Sequence, residues 1–213
     1  LYNHLFIHVP KCAGTSMAAA METAGSPPSD GHKTLEEYIT EGDIPAGVGP
    51  GPIPSDIFKW CFVRNPYDRL FSAYLYHHGI TLCDGTVPGR VVFSELDSRM
   101  SFFMSSFENY ILNLKELKKL NIKHLKEQHS FISSENVTMD FIGRYETIEQ
   151  DWNYISNKLY NQKLHLDIIN HSTAHAKALY GNRLFSRIYP GNSMPKNYIS
   201  LYTPEMIKVV NEV

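Results

Sequence analysis

Cysteine is scarce in this chain, and the few cysteines present are not spaced for metal binding. Among 213 residues there are three, Cys12, Cys61 and Cys83, and none has the CxxC spacing of a zinc site. An odd number is also a poor basis for a disulfide framework. We therefore expect a reducing compartment, the cytoplasm. Because the first residue is Leu, the Golgi lumen is the alternative if a natural N-terminal anchor has been removed.

An excess of charge of one sign and long hydrophobic runs are also missing. Twenty Lys and Arg residues oppose 22 Asp and Glu residues, which gives a formal net charge of −2. This balance does not favour nucleic acid as a partner. No apolar run approaches the roughly 18 residues that cross a bilayer, so no membrane span is expected. Any anion site must therefore be built locally.

Proline and glycine are concentrated in one segment, "PAGVGPGPIP", residues 45–54. Its four prolines and three glycines exclude regular secondary structure, and we interpret it as a surface insertion. With 43% hydrophobic residues, the chain as a whole has the composition of an ordinary globular protein. The sequence therefore predicts a single domain over residues 1–213.

Strand and helix signals alternate along the chain. Short apolar runs predict strands at residues 4–9, 58–63 and 140–145. Each run is followed by a loop and then by a helical pattern. Capping-box spacing predicts helix starts at Thr34 with Glu37 and at Thr147 with Gln150, and Thr203 precedes a helical proline. Repeated strand–loop–helix units predict an α/β fold, a parallel sheet with helices on both faces.

The loop after the first strand, "PKCAGTS", residues 10–16, has the composition of an anion site. In parallel sheets, ligands collect at the carboxyl ends of the strands. Gly14 allows close approach to the backbone, Lys11 supplies a charge, and Thr15 and Ser16 supply hydroxyl donors. In the nucleotide loop GxxxxGK[ST] the lysine follows the last glycine, whereas Lys11 precedes Gly14. This order disfavours a P-loop kinase or other NTPase.

A second anion site is predicted after the strand of residues 58–63. Arg64 follows that strand directly, and its guanidinium offers a bidentate fork for a phosphate. Ser72 lies on the helix that comes next. Anion sites on neighbouring strand ends suit a nucleotide that carries phosphates at both ends of its ribose.

These motifs resemble those of a known family. "FIHVPKCAGTS", residues 6–16, resembles the 5′-phosphosulfate loop of sulfotransferases that use 3′-phosphoadenosine 5′-phosphosulfate (PAPS), and "FVRNPYDRLFSAY", residues 62–74, resembles their 3′-phosphate motif. The resemblance is to the carbohydrate-type branch, which includes heparan sulfate 2-O- and chondroitin/dermatan-type enzymes. "DFIGRYETIEQDWNYI", residues 140–155, is similar to a segment that this branch has downstream. Cys12-Ala13 replaces the Thr-Gly or Thr-Ala of many relatives, a change that should not matter if the backbone does the binding.

The resemblance implies transfer of a sulfuryl group from PAPS to an acceptor hydroxyl, that of a carbohydrate, without a metal. The residues implied at the 5′-phosphosulfate are Lys11, Cys12, Ala13, Gly14, Thr15 and Ser16, and those at the 3′-phosphate are Arg64 and Ser72. Lys11 would also stabilise the charge on the departing phosphate. The hydroxyl of a lipid, polyketide or peptide stays open as the acceptor.

His32 is the candidate general base. The pair Gly31-His32 resembles the Gly-His ahead of the 3′-phosphate motif in the 2-O-sulfotransferases, where the histidine is the catalytic base. A neutral imidazole with a pKa near 6.5 can accept a hydroxyl proton at physiological pH. The alternatives are His124 and His129. Other histidines are interpreted as structural, with His8 on the first strand and His77-His78 at the C-terminal end of a helix, near its dipole.

Two other functional classes stay open. A kinase would also require an acidic residue near a later strand end, where this chain has Arg64. A non-catalytic nucleotide- or glycan-binding module would differ by loss of the base. Residues 94–128 are predicted to be largely helical, and their lysine row is interpreted as a solvated face rather than a glycan contact.

Overall fold

The computed structural model describes residues 3–26, 31–42, 49–82, 102–167 and 198–213. The chain divides into two units, Leu1–Asn65 with Lys126–Ile169 and Pro66–Leu125 with Asn170–Val213. The single domain over residues 1–213 stays a prediction. Part of the Pro/Gly-rich segment, residues 45–48, and the start of the predicted helical region, residues 94–101, lie outside the described residues.

The first unit contains a parallel sheet. Within the described ranges its strands are β1 (His4–Ile7), β2 (Phe58–Val63) and β3 (Phe141–Arg144), in the order β1-β2-β3. Trp60 in the central strand lies opposite Phe6 on one side and Phe141 on the other. Because the strands are parallel, the loops after β1 and β2 leave the same edge of the sheet. The predicted α/β fold, with a parallel sheet flanked by helices, is confirmed.

Helices follow the strands as the sequence predicts. Within the described ranges and in chain order they are α1 (Gly14–Thr23), α2 (Leu35–Glu41), α3 (Pro66–Leu82), α4 (Phe107–Leu112), α5 (Leu114–Lys118), α6 (Gln128–Ile132), α7 (Ile148–Tyr160) and α8 (Pro204–Glu212). The first strand ends at Ile7, two residues before its predicted end. The Val9 N–H donates to the Ile7 carbonyl at 3.0 Å, which turns the chain out of the ladder.

Two of the predicted helix starts are confirmed, and the third is built differently. The Thr34 side chain accepts from the Glu37 N–H at 3.1 Å, while the Glu37 carboxylate accepts from the Thr34 N–H at 2.6 Å. Thr203 caps α8 and is followed by proline in its first turn. At α7 the predicted box is wrong, because the Thr147 hydroxyl donates to Asp151 Oδ2 at 2.8 Å and makes no capping bond.

Aromatic residues fill the core of the first unit. Trp60 and Phe62 are buried, and Phe6 stacks on Trp60 with ring centroids 4.3 Å apart. The Trp60 indole N–H donates to His4 Nδ1 at 3.3 Å, and the Tyr160 hydroxyl lies 3.2 Å from His4 Nε2. Burial lowers the pKa of His4 to about 4, so this ring is neutral at physiological pH.

One charged residue lies inside the central strand. Lys59 is 8% exposed, and its ammonium lies 2.7 Å from Asp140 Oδ2 and donates to the Ile57 carbonyl at 2.9 Å. Asp140 Oδ2 also accepts from the Lys59 N–H at 2.8 Å. Burial opposes the shift, but these hydrogen bonds and the charges of Lys59 and Lys158 lower the pKa of Asp140. The interior lysine therefore ties β2 to the start of β3.

The second unit is helical in its described part. Tyr74 on α3 lies against Tyr110, with ring centroids 5.5 Å apart, in a core that also contains Leu114 and Met206. The predicted helical region forms the short helices α4 and α5 and a 3₁₀ turn at Lys123–Leu125. No helix among the described residues is long and apolar enough to cross a membrane.

The lysine row lies partly on α5. Lys115 pairs with Glu212 at 3.2 Å, and Lys119 pairs with Glu116 at 2.5 Å. Both lysine side chains are more than half exposed. At these two positions the predicted solvated face is confirmed.

Candidate active site

The loop after β1 has an unusual backbone. Lys11 and Ala13 both have φ of 66°, in the left-handed region that residues with a side chain seldom adopt. Ala13 is the N-cap of α1 and makes no side-chain capping bond. Where left-handed and right-handed residues alternate, successive backbone N–H groups point toward one side and form an anion-binding nest. The backbone of this loop is therefore set up for an anion at the start of α1.

The side chains of this loop differ in exposure. Cys12 and Ser16 are buried, Lys11 is partly buried, and Thr15 is exposed. The Cys12 thiol lies 3.3 Å from Gln128 Oε1. The sulfur at this position therefore faces protein.

Gly14 is required because an imidazole lies directly against it. A Cβ at this position would be 2.0 Å from His8 Cδ2 and 2.2 Å from His8 Nε2. Real Cβ atoms do not approach ring atoms so closely, so any side chain here would displace the loop or the histidine. His8, interpreted from the sequence only as a strand residue, is thus part of the loop's surroundings.

His32 contacts the same imidazole. The His8 and His32 rings lie edge to face with centroids 4.4 Å apart, and His32 Nδ1 lies 3.1 Å from the His8 carbonyl oxygen. A carbonyl can only accept, so Nδ1 carries the proton, and the neutral ring has its lone pair on Nε2. Burial, followed by the charges of His32 and Lys11, lowers the pKa of His8 to about 3. The structure therefore brings His32 and Lys11 to the same neutral histidine.

Arg64 lies at the end of β2 and reaches the first loop. Its guanidinium carbon lies 3.9 Å from the centroid of the Tyr145 ring, and Nη1 donates to the Lys11 carbonyl at 3.2 Å. The next N–H, of Asn65, donates to Glu146 Oε1 at 2.6 Å. The loops after β1 and β2 are therefore in direct contact, with two cationic side chains on neighbouring strand ends.

A glutamine amide holds the Arg64 main chain. Gln128 Oε1 accepts from the Arg64 N–H at 2.8 Å, and Gln128 Nε2 donates to the Arg64 carbonyl at 2.7 Å. Sequence reasoning missed Gln128, Tyr145 and the role of His8. The only signal for Tyr145 was its place at the end of the third predicted strand, and Gln128 had none.

Ser72 and His77 belong to the second unit. Ser72 is buried on α3. His77 is buried in the middle of the same helix, with Nδ1 2.9 Å from the Tyr110 hydroxyl and Nε2 3.1 Å from His124 Nδ1. The expectation that His77 sits at a helix end is wrong, because α3 continues to Leu82. The side chain of His78 lies outside the described part of the chain.

His124, one alternative base, is held from two directions within this unit. His77 contacts its Nδ1, and the buried Arg69 donates to its carbonyl at 3.2 Å. His129, the other alternative, belongs to the first unit, is exposed, and accepts from Ser133 through its carbonyl. Among these candidates, His32 is the one whose ring contacts the surroundings of the β1 loop.

Comparison with known proteins identifies the family. A model of the sulfotransferase family matches residues 2–212, which is nearly the whole chain. Comparisons with curated proteins and with solved structures gave no match. The match agrees with the motifs after β1 and β2 and with the parallel sheet that brings their loops together. It decides between the sulfotransferase and kinase interpretations: the chain belongs to the sulfotransferase family and is a sulfuryl-transferring enzyme.

Proposed function

We propose that this sulfotransferase takes its sulfuryl group from PAPS and transfers it to an acceptor hydroxyl, with His32 as the general base. The observation that carries the proposal is the meeting of three groups at one place: the strained loop of residues 10–16, the Arg64 guanidinium and the His32 imidazole. PAPS supplies an activated sulfuryl group and a phosphate leaving group. Residues of the chain would bind this nucleotide, accept the proton of the acceptor hydroxyl and stabilise the charge on the leaving phosphate.

The donor set fits such a nucleotide. The loop after β1 offers backbone N–H groups at a helix start, the Lys11 ammonium and the hydroxyls of Thr15 and Ser16, a set suited to a 5′-phosphosulfate. Arg64 lies on the neighbouring strand end, where its planar fork suits a phosphate. The Tyr145 ring supports the guanidinium, whose carbon lies 3.9 Å from the ring centroid. Ser72 is assigned to the 3′-phosphate by the family resemblance.

His32 is suited to accept the proton of the acceptor hydroxyl. Its Nδ1–H is donated to the His8 carbonyl, so the neutral ring accepts at Nε2. The neighbouring His8 stays neutral because its pKa is about 3, and it therefore adds no positive charge that would oppose protonation of His32. A base oriented by a fixed carbonyl follows the same logic as other catalytic imidazoles.

Lys11 is suited to the opposite end of the reaction. As the bond between sulfur and the bridging oxygen breaks, negative charge develops on the departing phosphate. A compact ammonium at the start of the loop can neutralise that charge. The left-handed φ of Lys11 fixes the direction in which its side chain leaves the backbone.

For the acceptor we propose a carbohydrate hydroxyl. The support is the resemblance of residues 6–16, 62–74 and 140–155 to the carbohydrate-type branch. The test is a panel of desulfated glycans, with phenolic, lipid and peptide hydroxyls beside it, incubated with PAPS labelled with ³⁵S. Label on a glycan supports the proposal, whereas label only on another class would replace the acceptor and leave the donor unchanged.

The base is tested with three histidine variants on the best acceptor of that panel. We expect His32→Ala to lower kcat by roughly 10²–10⁴-fold, the range of general base catalysis. Its affinity for adenosine 3′,5′-bisphosphate should stay close to that of the wild type. His165→Ala, with an 86% exposed side chain, serves as the control. An inactive His124→Ala beside a fully active His32→Ala would contradict the assignment and make His124 the base.

A further inference from the structure

Gln128 makes contacts with both loops of the candidate active site. It is the first residue of α6, 64 residues along the chain from Arg64 and 116 from Cys12. Its amide oxygen accepts from the Arg64 N–H and lies 3.3 Å from the Cys12 thiol, and its amide nitrogen donates to the Arg64 carbonyl. One side chain therefore reaches the residue after β2 and the loop after β1.

The two bonds to Arg64 replace those of a neighbouring strand. The last residue of β2 that pairs with β3 is Val63, opposite Arg144, so Arg64 lies one residue beyond the paired residues. A primary amide presents an acceptor and a donor side by side, so one amide can bond both the N–H and the carbonyl of a single residue. The Gln128 amide thus continues the pairing for one residue and fixes the main chain of Arg64 on both sides of its Cα.

Fixing the main chain of Arg64 also sets the origin of its side chain. The guanidinium must lie over the Tyr145 ring and within 3.2 Å of the Lys11 carbonyl, both of which are fixed by other elements. A shift of about 1 Å at a positioning contact is enough to lose a large part of binding or rate. The guanidinium of Arg64 therefore keeps its orientation only while the Arg64 main chain is held by hydrogen bonds.

We propose that Gln128 is a positioning residue that orients Arg64 toward the 3′-phosphate of the nucleotide and joins the loop after β2 to the loop after β1. The proposal rests on the proposed use of PAPS. Gln128 acts through Arg64, so its loss weakens selection of a nucleotide with a 3′-phosphate more than it weakens nucleotide binding in general.

The test measures selection rather than activity. Dissociation constants for adenosine 3′,5′-bisphosphate and for AMP are determined by calorimetry on the wild type, Gln128→Ala and Gln150→Ala. Gln150 is an exposed glutamine of α7 and is the matched control. We expect Gln128→Ala to reduce the preference for the bisphosphate roughly tenfold, since a lost hydrogen bond to a positioned group is worth about 1–1.5 kcal/mol. Gln150→Ala should keep the wild-type preference.

A double-variant cycle shows whether Gln128 acts through Arg64. Arg64→Ala removes the fork, so adding Gln128→Ala to it should reduce the preference no further. Independent losses that multiply in the double variant would overturn the proposal. So would an unchanged preference in a folded Gln128→Ala.

A second substitution keeps the proposal testable if Gln128→Ala does not fold. Gln128→Glu keeps an oxygen for the Arg64 N–H but replaces the donor to the Arg64 carbonyl with a second acceptor. It should give a preference between those of the wild type and Arg64→Ala, and a wild-type preference would overturn the proposal. Failure of the proposed function looks different: the wild type itself would then bind AMP as tightly as the bisphosphate.

Discussion

The loops that follow β1 and β2 leave the same edge of the sheet but are held in different ways. The first is fixed by its own backbone, with left-handed φ at Lys11 and Ala13, and by the start of α1 directly after it. The second is fixed by distant side chains, with Gln128 on the main chain of Arg64 and Tyr145 under its guanidinium. A loop built from its own residues can be recognised in a sequence. A loop that is held in place by residues distant in the sequence cannot be recognised in this way.

The largest expected effect distinguishes the two cations of these loops. If Lys11 acts on charge that develops only in the transition state, Lys11→Ala should lower kcat by roughly 10²-fold or more. Its affinity for adenosine 3′,5′-bisphosphate should fall much less. Steady-state kinetics and calorimetry give both values, and the exposed Lys163→Ala is the control. A normal kcat with only a raised KM would limit Lys11 to binding.

The next effect tests the packing of the first loop. Gly14→Ala places a methyl group 2.0 Å from His8 Cδ2, and overpacking of this kind destabilises by about 1–3 kcal/mol. Urea unfolding measures the loss, and Gly49→Ala, with no atom within 4 Å of the new Cβ, should change little. His8→Ala makes room for the methyl group. The double variant should therefore lose less than the sum of the two single variants, and simple additivity would refute the contact.

The pH dependence of stability tests the neutral state of His8. Its folded pKa is about 3, below the ordinary value of 6.5, so the unfolded chain binds the proton more tightly. The stability due to neutral His8 is fully present above pH 6.5 and is lost as the pH falls toward 3, by at most about 1.4 kcal/mol per pH unit. His8→Asn should flatten the unfolding free energy in this window. A wild-type slope in His8→Asn would contradict the shift.

The smallest effect tests the support of the second loop. Tyr145→Leu keeps an apolar surface beneath Arg64 but removes the aromatic face, a contact worth about 0.5–1 kcal/mol at a partly exposed site. Affinity for adenosine 3′,5′-bisphosphate should fall by roughly two- to fivefold while affinity for AMP stays constant. Tyr154→Leu, an exposed tyrosine of α7, is the control. Equal losses of affinity for both nucleotides would show that Tyr145 supports the fold rather than the guanidinium of Arg64.

The same contrast explains which parts of the fold were predictable. The strand of residues 58–63 has the predicted bounds because a continuous apolar run suits a central strand buried on both faces. The Thr34 capping box formed because both partners lie within one turn. The box at Thr147 failed because Asp151 accepts both the Thr147 hydroxyl and the Arg144 N–H, at 2.8 and 2.7 Å. Competition for a hydrogen-bond partner depends on where other groups lie in space.

The sequence alone determined the α/β fold, the two loops at strand ends and the cations Lys11 and Arg64, because these depend on short-range patterns of apolar residues, glycine and charge. Only the tertiary structure decided that His8 touches Gly14 and His32, and that Gln128 and Tyr145 hold Arg64. His32 lies 24 positions from His8, and Gln128 lies 64 positions from Arg64, and no local pattern marks these contacts. Parallel strands joined by long crossovers bring such distant segments to one edge, so the contacts exist only once the sheet has formed.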